Sequence, residues 1–116
     1  MHNYKNLRIW SEAMDVATKV YKITREFPKE EIYGLTSQLR RAAVSVPSNI
    51  AEGSGRTTDK DFKNFLSFSL GSAFETTTQL ELACRLEYCE REEINELLSK
   101  TESLQKQITA FRNKLN

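Results

Sequence analysis

In the last quarter of the chain, Ile94, Leu97, Thr101, Leu104, Ile108, Phe111 and Leu115 follow one another at steps of three and four residues. That spacing lays them along one stripe of an α-helix, and a strand, with its period of two, cannot produce it. A stripe kept up this long is a heptad seam, which needs partner helices to cover it. The remainder of the chain offers the same element. Only two prolines and four glycines interrupt 116 residues, and strand-like alternation is absent. The spacing predicts a first helix from about Leu7 to Glu26, ending before Phe27-Pro28 because proline disfavours helix in the residue ahead of it. A second starts from Thr36 as N-cap and runs to about Gly53, where the Gly-Ser-Gly-Arg turn supplies a glycine for the left-handed position past a helix end. Thr58 caps the third, with Asp59 and Asp61 at the positive end of its dipole, and this helix continues to about Tyr88. The fourth runs from about Arg91 to the C-terminus. Long helices joined by short turns predict an all-α, antiparallel up-down four-helix bundle in one domain, residues 1–116.

Net charge narrows the function classes. Seventeen Lys and Arg stand against sixteen Asp and Glu, a balance of +1. Any affinity for nucleic acid must therefore come from clustered cations and not from bulk charge. Cys84 and Cys89, five residues apart, match neither a redox pair nor a metal-ligand spacing, and ordinary thiols fit a reducing cytoplasm. Neither a signal-peptide core nor a run of about 20 apolar residues is present, so a cytoplasmic protein without a membrane partner is expected. The single histidine, His2, sits at a terminus expected to fray. No nucleophile stands beside a base, and Gly-Ser-Gly-Arg lacks the length and the lysine of a P-loop. Enzyme activity, metal and cofactor are not expected.

The apolar surface exceeds what one bundle needs. On a wheel at about 100° per residue, Trp10, Ala13, Met14, Ala17, Val20 and Tyr21 form one stripe, and Ile9, Val16, Ile23 and Phe27 widen it to roughly 200°. In the third helix, residues 65–80 carry one charge, Glu75, while Phe65, Phe68 and Phe74 point in three directions. A helix that is apolar all round must be covered all round. Subunits packing side by side would do so, and a homo-oligomer is expected.

The second helix carries two parallel lines. Leu35, Leu39, Ala42, Ala43, Val46 and Ile50 form the apolar one. About 60° away, Gln38, Arg41, Ser45, Asn49, Glu52 and Arg56 make a polar ladder in steps of three and four. Pro47 lies inside this helix and threatens the carbonyl of Ala43, so the helix either continues through it or breaks there. Antiparallel pairing about the turn brings Arg41 near Ser72 and Glu75. A polar ladder beside a core is costly unless its groups are paired. Gln38, Arg41, Ser45, Asn49, Glu52, Ser72 and Glu75 are therefore expected to form a buried structural network, with Glu75 the partner of Arg41. A ligand or nucleic-acid contact site is the other reading.

The stretches "YGLTSQLRRAAVSVPSNIAEGSGR" and "FKNFLSFSLGSAFETTTQLELA", with "LRIW" near the start and "FP" after the first helix, resemble the small bacterial four-helix-bundle proteins encoded in intervening sequences of 23S rRNA genes. The S-x-x-x-N-I-A-E-G-S-G-R segment from Ser45 to Arg56 is the most specific part. A more distant likeness is to the accessory protein of diversity-generating retroelements. The resemblance implies a left-handed bundle assembled as a ring, a pentamer, and through the retroelement relative it implies nucleic-acid binding and a protein partner. Arg40, Arg56, Lys60 and Lys63 are the expected contacts for RNA or DNA. A scaffold that binds protein and no nucleic acid is the alternative.

Overall fold

The structure, a computed structural model, describes residues 1–115. Four helices run through it: α1 (Arg8–Thr24), α2 (Leu35–Ser54), α3 (Asp59–Arg85) and α4 (Arg91–Lys114), with short 3-10 turns at Tyr4–Asn6 and Lys29–Glu31. No strand occurs among the described residues. Helix α1 packs on α2 and α4, α3 packs on α2 and α4, and among the described residues the backbones of the diagonal pairs, α1 with α3 and α2 with α4, do not approach closely. This is the up-down bundle that the spacing calls for. Its long axis is 43 Å.

The core is built from the stripes. Ile9, Ala13, Val16 and Val20 meet Leu39, Ala43, Val46 and Ile50, and these meet Leu66, Ala73, Leu80 and the α4 seam. Ile94, Leu97, Thr101, Leu104 and Ile108 are buried, while Phe111 and Leu115 close the end half-buried. Thr101 fits among apolar neighbours because its hydroxyl donates to the Leu97 carbonyl one turn back, 2.7 Å away.

Helix ends depart from expectation in three places. Thr36 is buried inside α2 and does not cap it. Glu31 does so instead, its carboxylate accepting from Leu35 N–H at 3.0 Å, and the Tyr88 hydroxyl donates to the same carboxylate at 2.7 Å. One acidic side chain thus joins the α1–α2 connection, the start of α2 and the α3–α4 turn. Second, none of the four glycines is left-handed. Helix α2 ends through right-handed Gly55, and Gly53 serves close approach: a Cβ there would stand 2.6 Å from Phe65 Cβ and 2.9 Å from Phe62 Cδ1. Third, α3 stops at Arg85, with Glu87 left-handed at φ 65°. Tyr88 N–H reaches Ala83 carbonyl and Glu87 N–H reaches Cys84 carbonyl, both at 2.9 Å, which together close the helix in a Schellman motif. Thr58 caps α3 as expected, accepting from Asp61 N–H at 3.1 Å.

Pro47 neither ends nor divides α2. It is buried within an uninterrupted helix, and the neighbouring turn is tied from outside, where the Ser69 hydroxyl of α3 donates to the Val46 carbonyl at 2.8 Å.

Candidate functional site

The polar ladder runs along the open edge between α2 and α3. Gln38, Arg41, Ser45, Ser72 and Glu75 line one groove there together with Tyr33, so the antiparallel register brings together the residues it was expected to. Burial is what differs. Gln38, Arg41, Glu52 and Glu75 are exposed, and Ser45, Asn49 and Ser72 are half-buried. Among the described residues Arg41 and Glu75 form no ion pair. The bonds within the ladder are local, Asn49 Nδ2 donating to the Ser45 carbonyl at 2.8 Å and to its hydroxyl at 3.3 Å, and Arg56 standing 3.5 Å from Glu52. The expected buried network is thus not formed within one chain. Lying about 60° off the apolar stripe, the ladder falls on the rim of the helix pair, where its charged groups stand exposed.

The neighbouring arginine takes the structural part instead. Arg40 Nε donates to Thr24 Oγ1 at 2.8 Å, and its guanidinium lies 4.6 Å over the Tyr21 ring. Thr24 is buried and in turn donates to the Val20 carbonyl at 2.8 Å. Arg40 therefore fastens α2 to α1. It also stands sixteen residues before Arg56, about 24 Å along the helix axis. It does not join Arg56, Lys60 and Lys63 at the α2–α3 turn, and the expected group of four reduces to three.

That turn end is nevertheless basic. Arg56 lies 4.6 Å over the Phe65 ring, and Lys60 and Lys63 follow on the first turns of α3. Arg112 on the last turn of α4 reaches the Ser67 hydroxyl at 3.3 Å, with Lys114 beyond it and Lys5 on the adjoining 3-10 turn. Lys60 and Lys63 make no ion pair among the described residues. The opposite end carries Glu26, Glu30, Glu87, Glu90, Glu92 and Glu93. Two of its cations are held by Glu81, which accepts from Arg91 at 3.0 Å and from Arg85 at 3.2 Å. These hydrogen bonds, that from Arg91 first, hold the Glu81 carboxyl at about 2.

His2 is not frayed. Its N–H donates to the Ser54 carbonyl at 2.9 Å, and its ring packs 5.0 Å from Phe62 and stands 3.7 Å from Asp59. The same contacts tie the N-terminus onto the basic end. Burial, with Cys84 next in effect, pushes the Cys89 thiol up to about 11. At neutral pH it is a thiol and not the nucleophilic thiolate. Among the described residues no cluster of His, Cys, Asp or Glu is arranged to hold a metal ion, and no helix is long and apolar enough to cross a membrane.

Sequence reasoning missed Ser69, Arg112 with Ser67, and the Glu31–Tyr88 bond. Each is a contact between residues far apart in the chain, and local periodicity carries no signal for such a pair.

A solved structure with the same fold comes from Bacteroides thetaiotaomicron, a protein of unknown function from the S23 ribosomal protein family. It superposes with a TM-score of 0.81 at 24% identity, covering 90% of this chain and 97% of that one. No curated protein matches the chain. The model of the 23S rRNA-intervening sequence proteins matches residues 5–110, from the 3-10 turn before α1 to the last turns of α4. The chain belongs to the family of 23S rRNA-intervening sequence proteins.

Proposed function

We propose that the protein is a non-enzymatic, oligomeric accessory protein that binds nucleic acid through the basic end at the α2–α3 turn. The observation that carries this reading is the pair Lys60 and Lys63, without carboxylate partners among the described residues, beside Arg56 and Arg112. Phosphates neutralised by such cations release counterions, which makes binding fall with salt. A titration of a structured RNA and a duplex DNA between about 50 and 200 mM salt, the range over which affinity from phosphate contacts falls steeply, tests it. Affinity is expected to drop steeply over that range, and Lys60→Glu with Lys63→Glu is expected to flatten the dependence. Binding indifferent to salt, or none to either nucleic acid, rejects the reading.

In this reading the protein works as a homo-oligomer, a ring of subunits such as the pentamer, in the cytoplasm. The large apolar side chains left exposed on one chain, Phe68, Phe74, Met14 and Tyr21 among them, support it. The same side chains favour a second reading, a scaffold whose partners are proteins alone. The absence of salt-dependent nucleic-acid binding by an assembled oligomer would select that scaffold.

A further inference from the structure

The outward face of α3 is a trough. Gly71 forms its floor, with Ser67 and Glu75 one turn to either side. Phe68 and Phe74 form its walls, about 60° away on each flank at 100° per residue. Both phenylalanines are exposed, Phe68 at 60% and Phe74 at 54%. A glycine in mid-helix costs up to about 1 kcal/mol against alanine. Nothing within this chain calls for it: a Cβ at Gly71 would meet no atom within 4 Å. Gly53 on α2 shows the contrast, since Phe62 and Phe65 fill the space beside it. A glycine on an open, aromatic-walled helix face fits a surface onto which another helix closes.

On the opposite side of the bundle lies a surface of the matching kind. Trp10, Met14 and Tyr21 rise from α1 beside Val44 and Pro47 of α2, bordering a groove of about 530 Å³. A cavity of roughly 150 Å³ already holds a benzene ring, so the groove has room for an aromatic side chain. Lys22 and Arg25 border the same groove. Glu75 lies in the trough, and Glu102, with Lys106 next to it, shares the hollow beside Phe74. The α1–α2 face is thus apolar at the centre with Lys22 and Arg25 at its border, and the trough sets against it the carboxylate of Glu75, which has no ion-pair partner among the described residues, while Glu102 and Lys106 offset each other. Because α1 and α3 sit on the diagonal, they face away from each other.

We infer that the α3 trough around Gly71 receives the α1–α2 face of a second copy of this chain, in a head-to-tail contact. This rests on the reading that the protein assembles with itself, and it names the two surfaces that meet. A contact between unlike faces leaves one of each unused at the ends of any open string, so it closes only as a ring. It also separates the two halves of the interface onto different mutants.

The experiment uses Gly71→Arg and Met14→Arg, each purified alone and then mixed, with mass read by sedimentation at micromolar concentration. Both positions are exposed, and the thermal melt of each variant is recorded to verify the fold. The wild type is expected well above its 13.4 kDa monomer mass. Each folded variant alone is expected as a monomer, and the equimolar mixture as a two-chain species. In that species the intact trough of Met14→Arg holds the intact α1–α2 face of Gly71→Arg. An assembled wild type whose folded variants stay assembled, or whose mixture stays monomeric, overturns the pairing and leaves self-assembly standing. A monomeric wild type overturns both. Should Gly71→Arg not fold, Phe74→Arg takes its place with the same outcomes.

Discussion

The hydroxyl of Ser69 on α3 donates to the main-chain carbonyl of Val46 on α2 across 2.8 Å, one residue before Pro47. Pro47 has no N–H to offer the carbonyl of Ala43, so α2 is weakest in the turn where this outside bond is made. Both ends of the bond are buried. Ser69→Ala is expected to destabilise the fold by about 1 kcal/mol, lowering the melting temperature by about 4 °C in a chain of this length. Ser67→Ala, two residues away on the exposed face, is expected to change the melt by less than a quarter of that. Equal melts for the two variants would show that the Val46 carbonyl needs no partner from α3.

Gly53 and Gly55 should respond in opposite senses. A methyl at Gly53 would sit 2.6 Å from Phe65 Cβ, too close for either helix to accept without moving, and Gly53→Ala is expected to cost about 1–3 kcal/mol. At Gly55 the nearest atom is Glu52 carbonyl oxygen, 3.6 Å away, and the backbone is right-handed at φ −86°. There Gly55→Ala is expected to stabilise by about 0.4–1 kcal/mol through the unfolded chain. Denaturant midpoints for the two variants on opposite sides of the wild type are the expected result.

Glu87 occupies a backbone conformation that non-glycine residues adopt at a cost. Its φ of 65° closes α3, and the side chain is exposed. Glu87→Gly is expected to stabilise by about 1 kcal/mol while keeping the Schellman bonds. A thermal melt unchanged or lowered by this variant would count against a strained turn.

Arg40, and not Arg41, makes the structural contacts that the helical wheel assigned to Arg41. Arg40→Ala removes the bond to Thr24 and the contact with Tyr21, and is expected to cost about 1–2 kcal/mol. Arg41→Ala is expected to stay within about 0.5 kcal/mol, as for an exposed side chain without a partner. Chemical denaturation of both proteins checks the order. A greater loss from Arg41→Ala would restore the buried network.

Acid should act through Glu81 and Glu31. Hydrogen bonds from Arg91 and Arg85 lower the Glu81 carboxyl from 4.5 to about 2, and those from Leu35 N–H and the Tyr88 hydroxyl lower that of Glu31. Both are depressed in the folded state. Their contribution is therefore complete above about pH 4.5 and is lost as pH falls through the folded values, for Glu81 near 2. Melting temperature against pH is expected to fall across that window in the wild type and less steeply in Glu81→Gln. A parallel pair of curves would show that the Arg91–Glu81 contact adds nothing to stability.

The four helices and the α4 seam were legible because period and length agree along every one of them. Thr58 as a cap was legible too, since its acceptor and its donor lie three residues apart. The cap of α2 was not. Glu31 reaches Leu35 only because a 3-10 turn folds the chain back, and Thr36 fits the local capping pattern as well as any residue could. Arg40 and Arg41 are about 100° apart on the wheel, and the edge of a stripe is where tertiary packing decides which of two neighbours points inward. The wheel located the polar ladder correctly on the α2–α3 side. It could not show that this side opens to water.

The opposite signs at the two ends have a kinetic meaning. At physiological ionic strength a charge is felt over about 8 Å, far less than the 43 Å length of the bundle. An approaching polyanion therefore does not meet a nearly neutral particle of net charge +1. It meets an attractive pole or a repulsive one, according to the orientation of the bundle as the two diffuse together. In the proposed reading, the excess of carboxylates around the α3–α4 turn repels a polyanion that comes within about 8 Å of that end, which favours encounters at the basic one.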